Sequence, residues 1–169
     1  MAYTITTPLA GSQPIATTST VKNHPQGMIV SAIDPVYGAG EFIYLEGAAN
    51  TIVGSIVTYV ASGTTTLSTT SGVVNGGAPL AVAMSANVDG SYGWYQISGD
   101  AVIKKTAVKV DPAGTTKVYL SATAGRVMQT SVAGRQVIGA RWTTATTVTS
   151  TTSTAVATLN RPVQQGAIT

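Results

Sequence analysis

Short runs of apolar and β-branched residues, separated by glycine, proline and aspartate, dominate the chain from Glu41 onward. In "GSIVTYVAS", for example, Ile56 and Val60 alternate with Val57 and Tyr59. Turn signals recur about every ten residues, and no segment shows a sustained helical stripe. Threonine, valine, isoleucine and tyrosine favour pleated surfaces. We therefore predict an all-β fold, a single β-barrel or jelly-roll-like sandwich.

The first forty residues differ from the rest because they hold four of the seven prolines. Proline removes a ladder donor and biases the preceding residue towards extended geometry. The pattern predicts an extended N-terminal arm over 1–40 that lies on another surface, although a partly disordered leader would read similarly. The β body is predicted over 41–160 and a C-terminal tail over 161–169. The stretch "TTVTSTTSTAVATL" before that tail is predicted to be an edge or interface strand.

Charged residues make up only 9% of the chain, against about 25% in an ordinary soluble domain. Hydroxyl-bearing and small apolar residues take their place, a composition typical of proteins packed in assemblies and of some secreted β proteins. The chain has no cysteine, which excludes disulfides, thiolate zinc sites and a cysteine nucleophile.

The net charge is +3 and the isoelectric point about 9.3, but adjacent basic residues occur only at Lys104 and Lys105. Nucleic-acid binding needs a concentrated basic footprint, so we expect no nucleic-acid partner. No run approaches the roughly 18 apolar residues of a membrane span, and no signal-peptide pattern opens the sequence. We expect no membrane partner and synthesis in a cytoplasm.

The acidic residues are interpreted as structural. Each aspartate touches a glycine or a proline in sequence, which predicts a turn former. Glu41 and Glu46 have opposite parity and would face opposite sides of one strand, so they form no acid/base pair. We expect no metal site, with a calcium site on two of the aspartates as the weaker alternative. The aspartates are Asp34, Asp89, Asp100 and Asp111.

The only histidine, His24, precedes Pro25 in the predicted arm, a poor place to hold a general base rigidly. With one histidine a Ser-His-Asp assembly is not expected, and the chain has no nucleophile elbow, phosphate-binding loop or dinucleotide fingerprint. The inventory predicts a protein that is not an enzyme and uses no cofactor.

The stretch "DGSYGWYQISGDA" concentrates the aromatic residues of the body. In an extended strand Tyr92 and Trp94 share one face, and Tyr95 and Ile97 share the other. The stretch is predicted to be a turn-strand-turn unit with Tyr95 and Ile97 in the core. For Tyr92 and Trp94, packing in the core, packing at a subunit interface and a role as a ligand platform stay open.

Four short motifs occur in order along the chain: "VYGAGEFIYLEG" (Val36–Gly47), "PLAVAMSA" (Pro79–Ala86), "YGWYQISGDAVI" (Tyr92–Ile103) and "GRQVIGA" (Gly134–Ala140). Together they resemble motifs of the capsid decoration (cement) proteins of tailed bacteriophages. The resemblance covers about residues 25–142.

The resemblance implies a virion structural protein on the outer surface of a bacteriophage capsid. Such proteins bridge neighbouring major capsid protein subunits, often as homotrimers and through terminal arms. A phage tail or receptor/glycan-binding module is the alternative function, and a β-domain glycan depolymerase a distant third. The arm and the aromatic stretch supply the residues predicted at a capsid or subunit interface, which are Pro8, Pro14, His24, Pro25, Tyr92 and Trp94.

Overall fold

The computed structural model describes residues 2–7, 11–69, 77–111 and 113–166, which form twelve β-strands and no helix. This confirms the predicted all-β class. The strands are β1 (Thr4–Ile5), β2 (Thr18–Ser19), β3 (Ile29–Asp34), β4 (Gly38–Glu46), β5 (Ile56–Tyr59), β6 (Thr65–Leu67), β7 (Leu80–Ala83), β8 (Tyr92–Lys104), β9 (Lys117–Leu120), β10 (Val127–Met128), β11 (Gln136–Trp142) and β12 (Thr154–Gln164).

The strands form one antiparallel sheet whose main path runs β1-β3-β4-β8-β12-β11-β9-β10. Strands β5, β6 and β7 branch from this path, since β7 pairs with both β5 and β8. The path does not close on itself within the described residues, which is consistent with the sandwich form of the prediction.

Strand β8 is the centre of this arrangement. Its first half pairs with β4 along one edge, and its second half pairs with β12 along the other. The two pairings overlap at Ser98, whose register partners are Glu41 of β4 and Asn160 of β12. Strands β2 and β7 take up the edge of β8 that β12 leaves free. The part of β8 from Tyr92 to Ser98 is therefore flanked by strands on both edges, and the remainder pairs with β12.

Three apolar clusters fill the space around the sheet. The first lies under the C-terminal strands and includes Trp142 and Leu120. The other two lie on opposite sides of β4, because Phe42 and Tyr44 belong to one while Ile43 and Leu45 belong to the other. Both faces of β4 are therefore covered, as expected of a strand whose sequence is a continuous run of apolar residues.

The predicted turn at Asp100 is wrong, because β8 continues through Gly99 and Asp100 to Lys104. Gly99 has a φ of +90° and lies just beyond a local irregularity at Ile97, the one extra residue of β8 opposite β4. A Cβ at Gly99 would collide with the carbonyl oxygen of Ala39. Gly99, which resembled the start of a turn, instead allows the backbone of β4 to approach β8 closely.

The prediction that the threonine-rich stretch is an edge strand is also wrong. Strand β12 lies inside the sheet between β8 and β11. Its inward face carries the small residues Ala155 and Ala157, and Ala157 is the register partner of Trp142. Small inward residues leave a weak hydrophobic pattern, so the burial is hard to see in sequence. The predicted tail over 161–169 overlaps this strand up to Gln164.

The predicted arm over 1–40 contains a regular strand of the main sheet. Strand β3 pairs with β4 along its whole length and buries Val30, Ala32 and Asp34 in strict alternation. The predicted boundary at residue 40 lies within β4. The part without long strands is therefore 2–28, and hereafter "arm" means the described residues of that range.

The beginning of the arm is attached to the sheet. Strand β1 pairs with β3, and the hydroxyl of Tyr3 donates to the carbonyl of Asp100 at 3.0 Å. Burial raises the pKa of Tyr3 to about 12. Burial also acts to raise the pKa of Asp34, but N–H donors from Tyr37, Val36 and the Ala2 amide lower it overall. Asp34 is thus a turn former, as predicted, and an anchor for the N-terminal segment.

Replacing Gly99 with alanine tests the close approach of β8 and β4. We expect Gly99→Ala to lower the free energy of unfolding by about 3 kcal/mol, combining backbone strain at positive φ with the clash against Ala39. Gly90→Ala is the control, since Gly90 has a φ of +72° but open space around its Cβ position, and it should cost about 1 kcal/mol. Equal costs in urea unfolding would contradict the close approach.

Candidate functional site

The predicted aromatic cluster lies on the side of the sheet that the arm covers. Tyr92 and Trp94 pack around Tyr44 of β4, with ring centroids 6.4 Å and 5.0 Å from it. Tyr95 and Ile97 point into the cluster on the opposite side. The predicted division of faces is confirmed, and so is the placement of Tyr95 and Ile97 in the core.

The arm folds over this cluster within the same chain. Strand β2 pairs with the start of β8, Thr18 with Gly93 and Ser19 with Tyr92. The side chain of Ile15 is buried in the same cluster as Trp94. The surface on which the arm lies is therefore the β body of the same chain.

Trp94 is fully buried, and its indole N–H donates to the main-chain oxygen of Gln13 at 2.8 Å. A buried indole without such a partner would carry a desolvation penalty of about 1–3 kcal/mol. The ring has no face open to a sugar or a base. The feature that motivated the receptor hypothesis is therefore a packed and hydrogen-bonded part of the core.

The Gln13 side chain joins the arm to the body through both ends of its amide. Its Nε2 donates to the carbonyls of Thr17, at 2.8 Å, and Tyr92, at 3.1 Å. Its Oε1 accepts from the Tyr44 hydroxyl and from the Asn23 amide, both at 3.0 Å. Four hydrogen bonds on one buried amide satisfy its full capacity and fix the path of the arm.

His24 takes part in the same junction. Its Nε2 accepts a hydrogen bond from the Gln13 main-chain N–H at 3.1 Å. Its ring stands at 90° to Tyr44 and lies 5.4 Å from Trp94, centroid to centroid. The only histidine of the chain thus has a structural role at this junction.

The structure brings most of the predicted interface residues together around this junction. Pro14 and Pro25 are exposed next to Gln13 and His24, while His24 and Tyr92 are half-buried. Trp94 contacts the arm of its own chain, and Pro8 lies outside the described residues. A role of Pro14, Pro25 and Tyr92 in contacts with another molecule stays a prediction.

Sequence reasoning missed Gln13 because its partners are distant along the chain. Eighty-one positions separate Gln13 from Trp94, and neither residue carries a local signal for the other. The one available hint was a polar residue with apolar neighbours in "QPIA", which is compatible with many structures.

Lys105 is a second residue whose role sequence reasoning missed. Its side chain is fully buried, and its Nζ donates to the carbonyls of Val108 at 2.8 Å, Thr149 at 2.9 Å and Thr106 at 3.3 Å. Burial lowers its pKa. The ammonium group holds together two loops that follow β8 and precede β12. It is a structural cation, and its neighbour Lys104 is half-buried.

The outer face of β3 exposes large apolar side chains on either side of the exposed Ser31. The face of β3 that points away from Trp94 exposes Ile29 by 40% and Ile33 by 51%, and Val36 in the following turn is 79% exposed. Ile33 has Thr4 of β1 and Ala39 of β4 as register partners. We call Ile29, Ile33, Val36 and Ala39 the β3 face. Exposed apolar residues on adjacent strands are typical of interaction surfaces.

The described residues show no group of histidine, cysteine, aspartate or glutamate side chains that could hold a metal ion. Nor does that part of the chain include a helix long and apolar enough to cross a membrane. Comparisons with family models, curated proteins and solved structures found no significant match to the chain. A function for the chain has to be argued from its own residues and surfaces.

Replacing Gln13 tests the junction between arm and body. We expect Gln13→Ala to lower the free energy of unfolding by about 2–3 kcal/mol and to speed amide exchange at Thr18 and Ser19, because the Tyr44 hydroxyl and two carbonyls lose their partners. Gln26→Ala is the control, since Gln26 also lies on the arm but its amide donates once, to Glu46. Similar effects of the two variants would contradict a special role for Gln13.

Replacing Lys105 tests the buried ammonium group through pH. Because its folded pKa is lowered, the unfolded chain binds more protons between that value and about 10.4, so its contribution to the free energy of unfolding increases as pH rises. Wild type should therefore gain stability relative to Lys105→Met between about pH 7 and about pH 10.5. A pH-independent difference for Lys105→Met would show that no lowered pKa exists.

Proposed function

We propose that the chain is a virion structural protein that decorates the outer surface of a bacteriophage capsid. It stabilises the shell by bridging neighbouring major capsid protein subunits and performs no catalysis. Its place is the outer surface of the virion, after synthesis in the bacterial cytoplasm, and it acts as a homotrimer.

The observation that carries the proposal is the β3 face. Ile33 and Val36 are large apolar side chains that remain half or more exposed in a folded chain with a well-filled interior. Burial of such area contributes about 25 cal/mol per Å². A bridging protein repeats that contribution at every symmetric position of a shell, so modest area per copy is enough.

The arm supports the proposal in a different way from that expected from the sequence. Gln13 and Ile15 are part of the folded core, so the arm does not hang free from the body. Exposed Pro14 and Pro25 lie on its outer side. In this proposal the arm adds a rigid surface to the body, and contact with the shell needs no ordering of a flexible segment.

A deletion of the arm would remove core residues together with surface, so surface substitutions make the better test. We expect virions assembled with wild-type protein to contain the chain at a copy number near that of the major shell protein. Ile33→Ser with Val36→Ser should reduce the occupancy strongly while leaving thermal unfolding nearly unchanged, because both side chains are exposed.

Val53→Ser with Val60→Ser is the matched control, since these valines are 47% and 59% exposed and lie outside both the arm and the β3 face. The control should leave the occupancy unchanged. Recovery of the chain at only a few copies, on the tail, would overturn the proposed function. Unchanged occupancy of the Ile33/Val36 variant would remove the β3 face from it.

A further inference from the structure

The acidic and basic residues are unevenly distributed along the chain. Residues 1–103 contain one lysine and five acids, a net charge of −4. Residues 104–169 contain eight lysines and arginines and one acid, a net charge of +7, and the two values give the total of +3. Of these cations, Lys117, Arg141 and Arg161 lie on β9, β11 and β12.

Two of these cations face each other directly. Lys117 of β9 is the register partner of Arg141 of β11, and both are exposed. Like charges opposite each other on neighbouring strands are destabilising. In the described part of the chain the ion pairs are Lys109 with Asp111 and Arg161 with Glu41, and neither involves this pair.

A groove of about 400 Å³ adjoins Arg141. Besides Arg141 it is lined by Gly139, Ala140, Thr158 and Asn160. The groove lies at an irregularity in the pairing of β11 with β12, where Gly139 has a φ of +80° and a Cβ would meet the Asn160 carbonyl oxygen at 2.6 Å. Arg141 and Asn160 are the two exposed polar residues of this lining.

The nearest acid in the same row of the sheet is already engaged. The row continues from Arg141 to Thr158 and on to Asp100, so Asp100 lies two strands, roughly 10 Å, from Arg141. Its carboxylate accepts a hydrogen bond from the Thr158 hydroxyl. The Lys117–Arg141 pair is therefore left without a carboxylate of its own.

We propose that Lys117, Arg141 and the adjoining groove form a docking surface for an acidic segment of a partner protein. A carboxylate matches the planar donor fork of arginine, and Lys117 supplies a second positive charge beside it. The inference rests on the proposed function for the identity of that partner, which would then be the major capsid protein.

A peptide fits this surface better than a nucleic acid does. Single-stranded nucleic acids are bound along continuous basic grooves with aromatic platforms, whereas this row has two cations and then Asp100. A phosphate at every unit would meet the Asp100 carboxylate. A peptide can place its acids at Lys117 and Arg141 and a neutral residue beyond them.

The test uses fluorescein-labelled decaglutamate, with decaserine as the uncharged probe and a single-stranded oligonucleotide of equal charge. Binding to the full chain is measured by fluorescence anisotropy at low and physiological salt. We expect decaglutamate to bind, and Lys117→Gln with Arg141→Gln to weaken it about tenfold or more. Lys22→Gln with Lys109→Gln removes the same charge elsewhere and should weaken binding less than about twofold.

Equal weakening by the two double variants would overturn the inference, because it would show a response to net charge alone. Tighter binding of the oligonucleotide would replace it with a nucleic-acid site. Loss of self-association in the Lys117/Arg141 variant, measured by sedimentation, would make a second copy of the chain the occupant and also overturn it.

Shell occupancy separates this inference from the proposed function. If the Lys117/Arg141 variant occupies virions normally, the proposed function stands and the docking surface is wrong. If decaglutamate binds as expected but the wild-type chain is not on the shell, the acidic segment belongs to another protein and the proposed function fails.

Discussion

The structure depends on strand β8, which has to satisfy two sets of neighbours along one continuous backbone. Its edges pair with β4, β12, β2 and β7, and its side chains enter apolar clusters on both faces. Such a strand leaves little room for Cβ atoms where neighbouring parts of the chain approach. Glycines stand at two such places: a Cβ at Gly93 would press on the side chains of Ser85 and Asn87, and one at Gly99 on the backbone of Ala39. Gly99, which resembled a turn residue, is therefore required by the sheet itself.

The position of the arm follows from the first half of β8. Trp94 is too large to leave on an uncovered face, and its N–H needs an acceptor once it is buried. The arm supplies both the cover, through Ile15, and the acceptor, through the Gln13 carbonyl. A proline-rich segment suits this task, because it lacks ladder donors and follows the surface without forming a long strand of its own. The segment predicted to be an extended arm packs against the core of its own chain and covers it.

Local patterns predicted much of the fold, and long-range contacts account for what they missed. Alternation predicted the all-β class and the face on which Tyr95 lies, because strand parity is a local property. Whether β12 is central or at an edge depends on which strands flank it, and its inward Ala155 and Ala157 weaken the pattern that marks a buried strand. Gln13 and Lys105 owe their roles to carbonyls brought close only by the completed sheet. These contacts join residues that are far apart in sequence, so no local spacing pattern predicts them.

Because the chain has few acidic residues, none in the described part of the chain pairs with Lys117 or Arg141. A chain with six acids has few to spare, and the hydrogen bonds and ion pairs of the folded structure use five of them. The sixth, Asp89, lies in the exposed turn before Gly90. The anions that balance Lys117 and Arg141 therefore have to come from solvent or from a partner, and a partner's carboxylate would offset the repulsion between the two like charges. The five engaged acids are Asp34, Glu41, Glu46, Asp100 and Asp111.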